Sequence, residues 1–156
     1  CLLVSRVDLE GTDKELVLVN LHVEAYDDGE GKIAQTNQLI SLLTEEYEKG
    51  NYVVAGGDFN QSFPGVLDKY PVNNPELWTP GVLENSILPE GWSFAYDMES
   101  PTCRLLDKPY DGTNQTYVID GFIVSPNVNV SQVKTIDLNF EHSDHNPVEL
   151  KFTFDK

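Results

Sequence analysis

The feature that most constrains this chain is a short apolar run that stops at two glycines and two polar residues, at positions 52–60 (YVVAGGDFN). β-Branched and aromatic residues in such a run predict a buried strand. Polar side chains at the carboxyl end of a buried strand open into the crevice outside the sheet, where α/β proteins place their ligands. The run therefore predicts a functional site at Asp58 and Asn60. An ordinary polar turn is the alternative, since Gly, Asp and Asn are common turn residues.

The residues before this run alternate between strand and helix patterns. Residues 1–7 and 15–22 predict a β-hairpin, residues 24–29 an acidic loop, and residues 31–49 a helix with apolar side chains at helical spacing. A strand, a helix and a second strand in succession predict a crossover packed on a sheet. His22 ends the second strand, so it is expected at a strand end, where a hydrogen-bonded structural histidine is the alternative.

The residues after the run divide into a long irregular stretch and a second set of strands. Residues 61–111 hold most of the nine prolines, and an irregular stretch of this length is usually functional. Its aromatic residues either line a substrate mouth or pack the loop onto the body. Short strands are predicted at 92–96 and 101–104, followed by strands at 117–124, 128–136 and 147–154, with Asp120 in the middle of the strand at 117–124.

Composition narrows the functional classes. The 156 residues suit one domain, and the 26 acidic residues against 10 basic ones give a net charge of −16, which disfavours a polyanionic partner. Two cysteines are too few for a disulfide scaffold or a zinc site. No apolar run approaches the ~20 residues of a membrane helix. The compartment stays open, including a location outside the cytoplasm or a membrane anchor upstream of Cys1.

Polar residues at four strand ends form the candidate site. Imidazoles, carboxylates and an amide without a cysteine ligand suit an oxygen-preferring cation such as Mg²⁺, with Mn²⁺ as an alternative, and a water nucleophile. A serine or cysteine triad is disfavoured, because no Gly-x-Ser-x-Gly elbow is present. The candidates are His22, Asp58, Asn60, Asp120, Asp144 and His145.

These residues resemble the endonuclease/exonuclease/phosphatase superfamily of metal-dependent phosphoesterases. The resemblance runs from about residue 17 to residue 154 and is carried by Gly-Asp-Phe-Asn at 57–60 and Ser-Asp-His-Asn-Pro-Val at 143–148. Asn-Leu-His at 20–22 and Ile-Asp-Gly-Phe-Ile at 119–123 stand in the matching places. The resemblance implies an α/β fold: half of a four-layered, DNase I-like α/β sandwich, with a mainly antiparallel mixed sheet and one main helix. Residues 1–156 are then the C-terminal part of one domain, whose N-terminal half, with an Asn and a Glu that bind metal, would precede Cys1.

The same resemblance implies roles for the candidate residues. His145 would lie beside the scissile phosphate, with Asp120 orienting its ring. Asp58 would position or deprotonate the attacking water and contact the metal, and Asn60 would donate to a phosphoryl oxygen. His22 would contact the phosphate or protonate the leaving group. Asp144 is the second predicted metal ligand.

The favoured function is Mg²⁺-assisted hydrolysis of a phosphoester by in-line attack of water, as a phosphodiesterase or a phosphatase. The acidic charge favours a small-molecule or lipid substrate over nucleic acid. A non-catalytic phosphate-binding module and an endonuclease are the alternatives. The fragment alone is expected to be inactive and to expose an apolar sheet face, on strands such as 15–22 and 147–154, to the missing half or to a second copy.

Overall fold

The computed structural model describes residues 1–26 and 29–154, so the acidic loop predicted at 24–29 lies partly outside the described residues. The helices are α1 (Glu30–Glu48) and α2 (Val66–Lys69), with a 3₁₀ turn at Asn85–Ile87. No helix in the described ranges has the length and apolar character that a membrane crossing requires. The strands are β1 (Leu2–Asp8), β2 (Glu15–His22), β3 (Tyr52–Asp58), β4 (Gln61–Ser62), β5 (Gly81–Val82), β6 (Ser93–Ala95), β7 (Cys103–Arg104), β8 (Thr116–Tyr117), β9 (Asp120–Val124), β10 (Val128–Thr135) and β11 (Val148–Phe154).

One mixed sheet organises these elements. Its five strands run in the order β1-β2-β3-β9-β6, and only the β2–β3 pair among them is parallel. Helix α1 connects these two parallel strands, as a crossover must. The predicted α/β fold with a mainly antiparallel mixed sheet and one main helix is therefore confirmed.

Helix α1 covers one face of this sheet. Alternate residues of β2 and β3 point toward it and are almost fully buried, because successive side chains of a strand face opposite sides. The helix contributes two fully buried leucines to the same core. This core includes Val17, Val19, Leu21, Val53, Ala55, Leu39 and Leu43.

The opposite face of the sheet is partly covered by the antiparallel pair β10–β11. Val54, Val124 and Val128 form the centre of this second apolar cluster, and phenylalanines and leucines of β2, β9 and β11 pack around them half-buried. The apolar side chains expected to be exposed on β2 and on the last strand are thus packed against one another. The more exposed apolar residues of this region, Leu3 and Val7, lie on edge strand β1.

The prediction that Asp120 lies mid-strand is wrong. The predicted strand at 117–124 is two strands, β8 and β9, and Asp120 is the first residue of β9. The hydroxyl of Thr102 accepts hydrogen bonds from the N–H groups of Ile119 and Asp120, at 3.0 and 3.1 Å. These bonds hold the chain at the point where its pairing with β7 ends and its pairing with β3 begins. Asp120 therefore lies at the start of a strand, at one end of the sheet, and not in the middle of a strand.

A charged cluster on the α1 side ties the edge strand to the helix. Both Nη atoms of Arg6 donate to the two carboxylate oxygens of Glu46 at 2.8 Å, and Lys49 and Asn51 donate to the same carboxylate. The hydrogen bond from Arg6 is the main reason why the pKa of Glu46 falls to about 2, against the opposing effect of burial. A bidentate bond of this kind fixes the orientation of both groups.

Replacing Glu46 with Gln should destabilise the protein by about 1–2 kcal/mol, because a charge-assisted bond is lost while Arg6 keeps partial access to water. The carboxylate's contribution is present above its unfolded pKa and is lost as the pH falls through about 2. The difference between wild type and Glu46→Gln in urea unfolding should therefore shrink as the pH falls below about 4.5. Glu45→Gln, at the exposed neighbouring position, is the control, and an equal effect of both changes would contradict the assignment.

Candidate active site

Three candidate residues lie in one row across the sheet. His22 of β2 is opposite Asp58 of β3 in the parallel register, and Asp58 is opposite Asp120 of β9 in the antiparallel register. Residues paired in register point to the same face, so the row faces the side of the β10–β11 pair. The strand ends named in the sequence thus converge, although 36 residues separate the first two and 62 the last two.

Gly57 permits the close approach of β2 and β3 at this row. Its φ of +146° is a conformation that side chains rarely adopt, and a Cβ atom there would lie 2.1 Å from the carbonyl oxygen of Leu21. A residue other than glycine would have to push the two strands apart. The glycine before Asp58 therefore sets the distance between Asp58 and His22.

Asp58 lies at the centre of the polar cluster. Its Oδ2 atom is 3.6 Å from Nε2 of His22 and 3.8 Å from Nε2 of His145, and its side chain is 12% exposed. Burial, and then the nearby charge of Asp120, raise the pKa of Asp58, while the hydrogen bond from Asn60 and the two histidines oppose the rise. A carboxylate whose pKa is raised is a better proton acceptor.

His145 reaches the row from the loop before β11. Its Nδ1 atom lies 2.9 Å from Oδ2 of Asp120, and its backbone N–H is bonded to Oγ of Ser143. Burial alone would lower the pKa of His145, but the hydrogen bond with Asp120 leads the effects that raise it from 6.5 to about 11. The hydrogen bond with Asp120 therefore favours the protonated ring, which lies beside two carboxylates.

Asn60 is buried and supports Asp58 directly. Its backbone N–H donates to Oδ1 of Asp58 at 2.7 Å, and its side-chain amide donates to Oδ2 of Asp58 and to the carbonyl of Val23. Its φ of +48° is left-handed, which asparagine tolerates better than most residues. Both amide protons are engaged, so donation to a substrate oxygen requires one of these bonds to exchange.

Sequence reasoning missed the residues that join the two loops of the site. Thr102 is fully buried and, besides holding the start of β9, its carbonyl accepts from the N–H of Asn146 at 2.8 Å. Cys103 forms a β-bridge with His145, and the N–H of Arg104 donates to the carbonyl of Asp144. Thr102-Cys103-Arg104 follows a proline and has strand character, so the sequence predicts a short strand there. It does not show that this strand pairs with residues about 40 positions later.

The predicted metal ligands do not form a complete metal site. Within residues 1–26 and 29–154, no group of three or more His, Cys, Asp or Glu side chains is arranged to hold an ion. Both oxygens of Asp58 already accept hydrogen bonds from Asn60. Asp144 is half-buried. Its position is fixed through its backbone, because its carbonyl accepts a hydrogen bond from the N–H of Arg104. The prediction of Mg²⁺ or Mn²⁺ at Asp58 and Asp144 stays a prediction.

Comparison with known proteins identifies the fold. No protein-family model matches the chain, and no curated protein matches its sequence. TDP2 of Caenorhabditis elegans is similar in structure, with 18% identity, a TM-score of 0.60, and coverage of 99% of this chain and 59% of that one. An endonuclease/exonuclease/phosphatase of Beutenbergia cavernae has 16% identity, a TM-score of 0.64, and coverage of 98% and 39%. The mannosyl-6-phosphatase of Bacteroides thetaiotaomicron has 16% identity, a TM-score of 0.55, and coverage of 92% and 53%.

The chain therefore has the fold of the endonuclease/exonuclease/phosphatase superfamily, which confirms the resemblance that its motifs carry. It spans between 39% and 59% of the length of these three structures. At such identities the likeness is one of fold. A fold alone does not define chemistry, which depends on the residues of the site.

Thr102→Val should destabilise the protein by about 2–6 kcal/mol, because the N–H groups of Ile119 and Asp120 lose their acceptor at about 1–3 kcal/mol each. Urea unfolding measures the loss. Thr102→Ser keeps the hydroxyl and is the matched control, with a much smaller cost. If Thr102→Val costs little and Thr102→Ser costs more, packing of the methyl group and not the hydroxyl holds the start of β9.

The midpoint of His145 titration, followed by NMR of the ring, should lie well above 6.5, and Asp120→Asn should lower it. Because the folded pKa is raised, the stability that this histidine contributes is fully present below 6.5 and is lost as the pH rises through the folded pKa. Unfolding of wild type and Asp120→Asn compared at pH 6 and pH 10 tests the second part. A midpoint at or below 6.5 in the wild type would show that the Asp120 bond does not control the ring.

Proposed function

We propose that this chain carries the histidine and aspartate residues of a metal-dependent phosphoester hydrolase, in which water attacks phosphorus in line and a P–O bond breaks. One observation supports this most: a buried carboxylate, Asp58, lies within 4 Å of two imidazoles, one of which is bonded to a second carboxylate. This arrangement offers a proton acceptor and imidazole hydrogen-bond donors around one point, which is what displacement at an anionic phosphoryl group requires.

Asp58 is proposed as the residue that orients and deprotonates the attacking water. It is the least exposed carboxylate of the row, and its pKa is raised, so a proton transferred to it is better accommodated than on a solvated aspartate. Asn60 positions this carboxylate through two hydrogen bonds, one from its backbone N–H and one from its side-chain amide. Asn60 has a second proposed role, in which it donates a hydrogen bond to a phosphoryl oxygen when substrate is bound.

His145 and Asp120 are proposed to act as a pair beside the phosphate. The imidazolium stabilises negative charge that develops on the phosphoryl oxygens, and Asp120 fixes the ring through Nδ1 and keeps it charged. Its Nε2 atom is then the one free to face substrate.

His22 is proposed to contact the substrate on the open side of the site. Its side chain is 66% exposed, against 30% for His145, while Nε2 remains 3.6 Å from Asp58. An exposed imidazole at this place can reach a phosphoryl oxygen or donate a proton to the leaving alcohol. It is the residue that entering substrate would meet before Asp58.

Mg²⁺, or Mn²⁺ in its place, is proposed as the cofactor, with Asp58 and Asp144 as ligands from this chain. Mg²⁺ usually binds through one or two carboxylates together with waters and substrate phosphates, so two ligands here are consistent with weak binding by this chain alone. The proposed activity is therefore assigned to the protein together with the other half of the domain. We also propose that the chain contacts that half or a second copy, and that the protein lies outside the cytoplasm or at a membrane.

A small-molecule or lipid phosphoester is proposed in preference to nucleic acid. The net charge of −16 repels a polyanion, and the basic residues of the chain do not form a run. A TDP2 structure from Danio rerio contains a single-strand DNA product and covers 97% of this chain at 18% identity, which keeps an endonuclease as the alternative. A non-catalytic phosphate-binding module is distinguished by binding phosphate without turnover.

In the intact protein with Mg²⁺, Asp120→Asn should lower kcat for bis(p-nitrophenyl) phosphate on the order of 10²-fold with a smaller change in KM. The reason is that the imidazole loses both its orientation and the charge that raises its pKa. Absorbance of released p-nitrophenolate measures the rate.

Asp13→Asn, at an almost fully exposed carboxylate before the start of β2, at the opposite end of that strand from His22, is the control and should leave kcat unchanged. An unchanged kcat in Asp120→Asn would make Asp120 a structural residue. Absence of turnover in the intact wild type, combined with measurable phosphate binding, would favour the non-catalytic alternative.

A further inference from the structure

A cavity of 290 Å³ adjoins the candidate site, and none of the roles proposed above for the site residues requires it. We call it the Trp78 cleft; its walls come from residues 25–26, 77–78, 103–107 and 144–145, together with parts of the sheet edge. Asn60 and His145 line it as well, so it adjoins the two residues that are bonded to Asp58 and Asp120. A group bound in this cavity would be close enough to be part of the same molecule as a phosphate held at His145.

The mouth of the Trp78 cleft is apolar and exposed. Tyr26, Leu77 and Leu106 are 85%, 54% and 66% exposed, and all three lie around the same opening. Large apolar side chains exposed singly are common, but three that border one concave opening are typical of a ligand site.

The floor of the cleft is held in place without a ligand. The indole N–H of Trp78 donates to the carbonyl of Ala25 at 3.0 Å, and its ring packs edge-on against Tyr117 with the centroids 4.9 Å apart. Tyr117 itself is 1% exposed. A preformed wall of this kind lowers the entropy that binding would otherwise cost.

Arg104 is the one lysine or arginine that lines the cleft in the described part of the chain. Its Nη1 atom donates to the carbonyls of Leu105 and Lys108 at 3.3 and 3.4 Å, its Nε atom is buried without a hydrogen-bond partner, and no described carboxylate lies within 4.0 Å of it. The guanidinium lies over the Tyr110 ring, with its carbon 5.9 Å from the ring centroid, and Asp107 and Asp144 line the cleft without forming an ion pair with it. A guanidinium without a bound acid can still accept an anionic partner.

We propose that the Trp78 cleft binds the alcohol part of the phosphoester, that this part is an apolar group larger than one ring, and that Arg104 binds an anionic oxygen of the same substrate. The size follows from the volume, since an apolar cavity of roughly 150 Å³ already holds benzene. The proposal rests on the proposed function, because it takes the phosphate to lie at His145.

Binding of three probes to the intact protein by calorimetry tests the proposal. The probes are 1-naphthylphosphonate, methylphosphonate and the uncharged 1-naphthalenemethanol; the phosphonates resist hydrolysis because the C–P bond replaces the P–O bond that would break. Naphthylphosphonate should bind at least about 10-fold more tightly than methylphosphonate, the order expected when an apolar pocket accepts added apolar atoms.

Paired variants separate the two parts of the cleft. Leu77→Ser with Leu106→Ser should remove most of the preference for naphthylphosphonate, while Ile33→Ser, at a similarly exposed position on α1, should leave it unchanged. Arg104→Gln should weaken both phosphonates by a similar factor and leave naphthalenemethanol unaffected. Arg104→Lys, which keeps the charge, should restore part of the loss and guards against a folding defect.

Equal affinity for naphthylphosphonate and methylphosphonate would overturn the proposal while leaving the phosphoesterase untouched. Binding of naphthalenemethanol as tight as that of naphthylphosphonate, with no effect of Arg104→Gln, would overturn the assignment of the cleft to a phosphoester. The proposed function itself fails by a different measurement, the absence of p-nitrophenolate release.

Discussion

The parallel pairing of β2 and β3 is the constraint on which the rest of the structure depends. Parallel neighbours bring two carboxyl ends to the same edge of the sheet, and they require the crossover helix α1 to join them. The register of this pair places His22 beside Asp58, and the close approach at Gly57 sets their separation. The antiparallel strand β9 then contributes its amino end at the same edge, so the second carboxylate arrives from the opposite chain direction.

The electrostatics of the site follow from this geometry. Two carboxylates that are neighbours across a β ladder repel one another, which is part of why the pKa of Asp58 is raised. His145, bonded to Asp120 and 3.8 Å from Asp58, offsets that repulsion, and the hydrogen bond with Asp120 raises the pKa of the ring. The three groups are therefore interdependent, and the properties of one cannot be assigned without the other two.

Most of the fold and most of the site could be predicted from sequence because the information is local. Apolar runs that end in polar residues marked the ends of β2 and β3 and the start of the His145 loop, and the spacing of apolar residues marked α1. Asp120 was misplaced because residues 117–124 are uniformly apolar around it, and such a run does not show where a chain changes partners. The hydrogen bonds of Thr102 were also invisible, since a buried threonine has no periodic signature.

The bridge between Cys103 and His145 has a consequence for how such a protein could change its substrate. The segment that contributes Arg104 and Leu106 to the Trp78 cleft is tied, through Thr102 and Cys103, to the loop that holds His145. A loop grafted in from a homologue would therefore shift the histidine unless it kept the residues at 102–104 in their pairing. Diversification is expected to concentrate beyond that short anchor, in the mostly exposed residues 106–113, where length and composition can vary without moving the reacting groups.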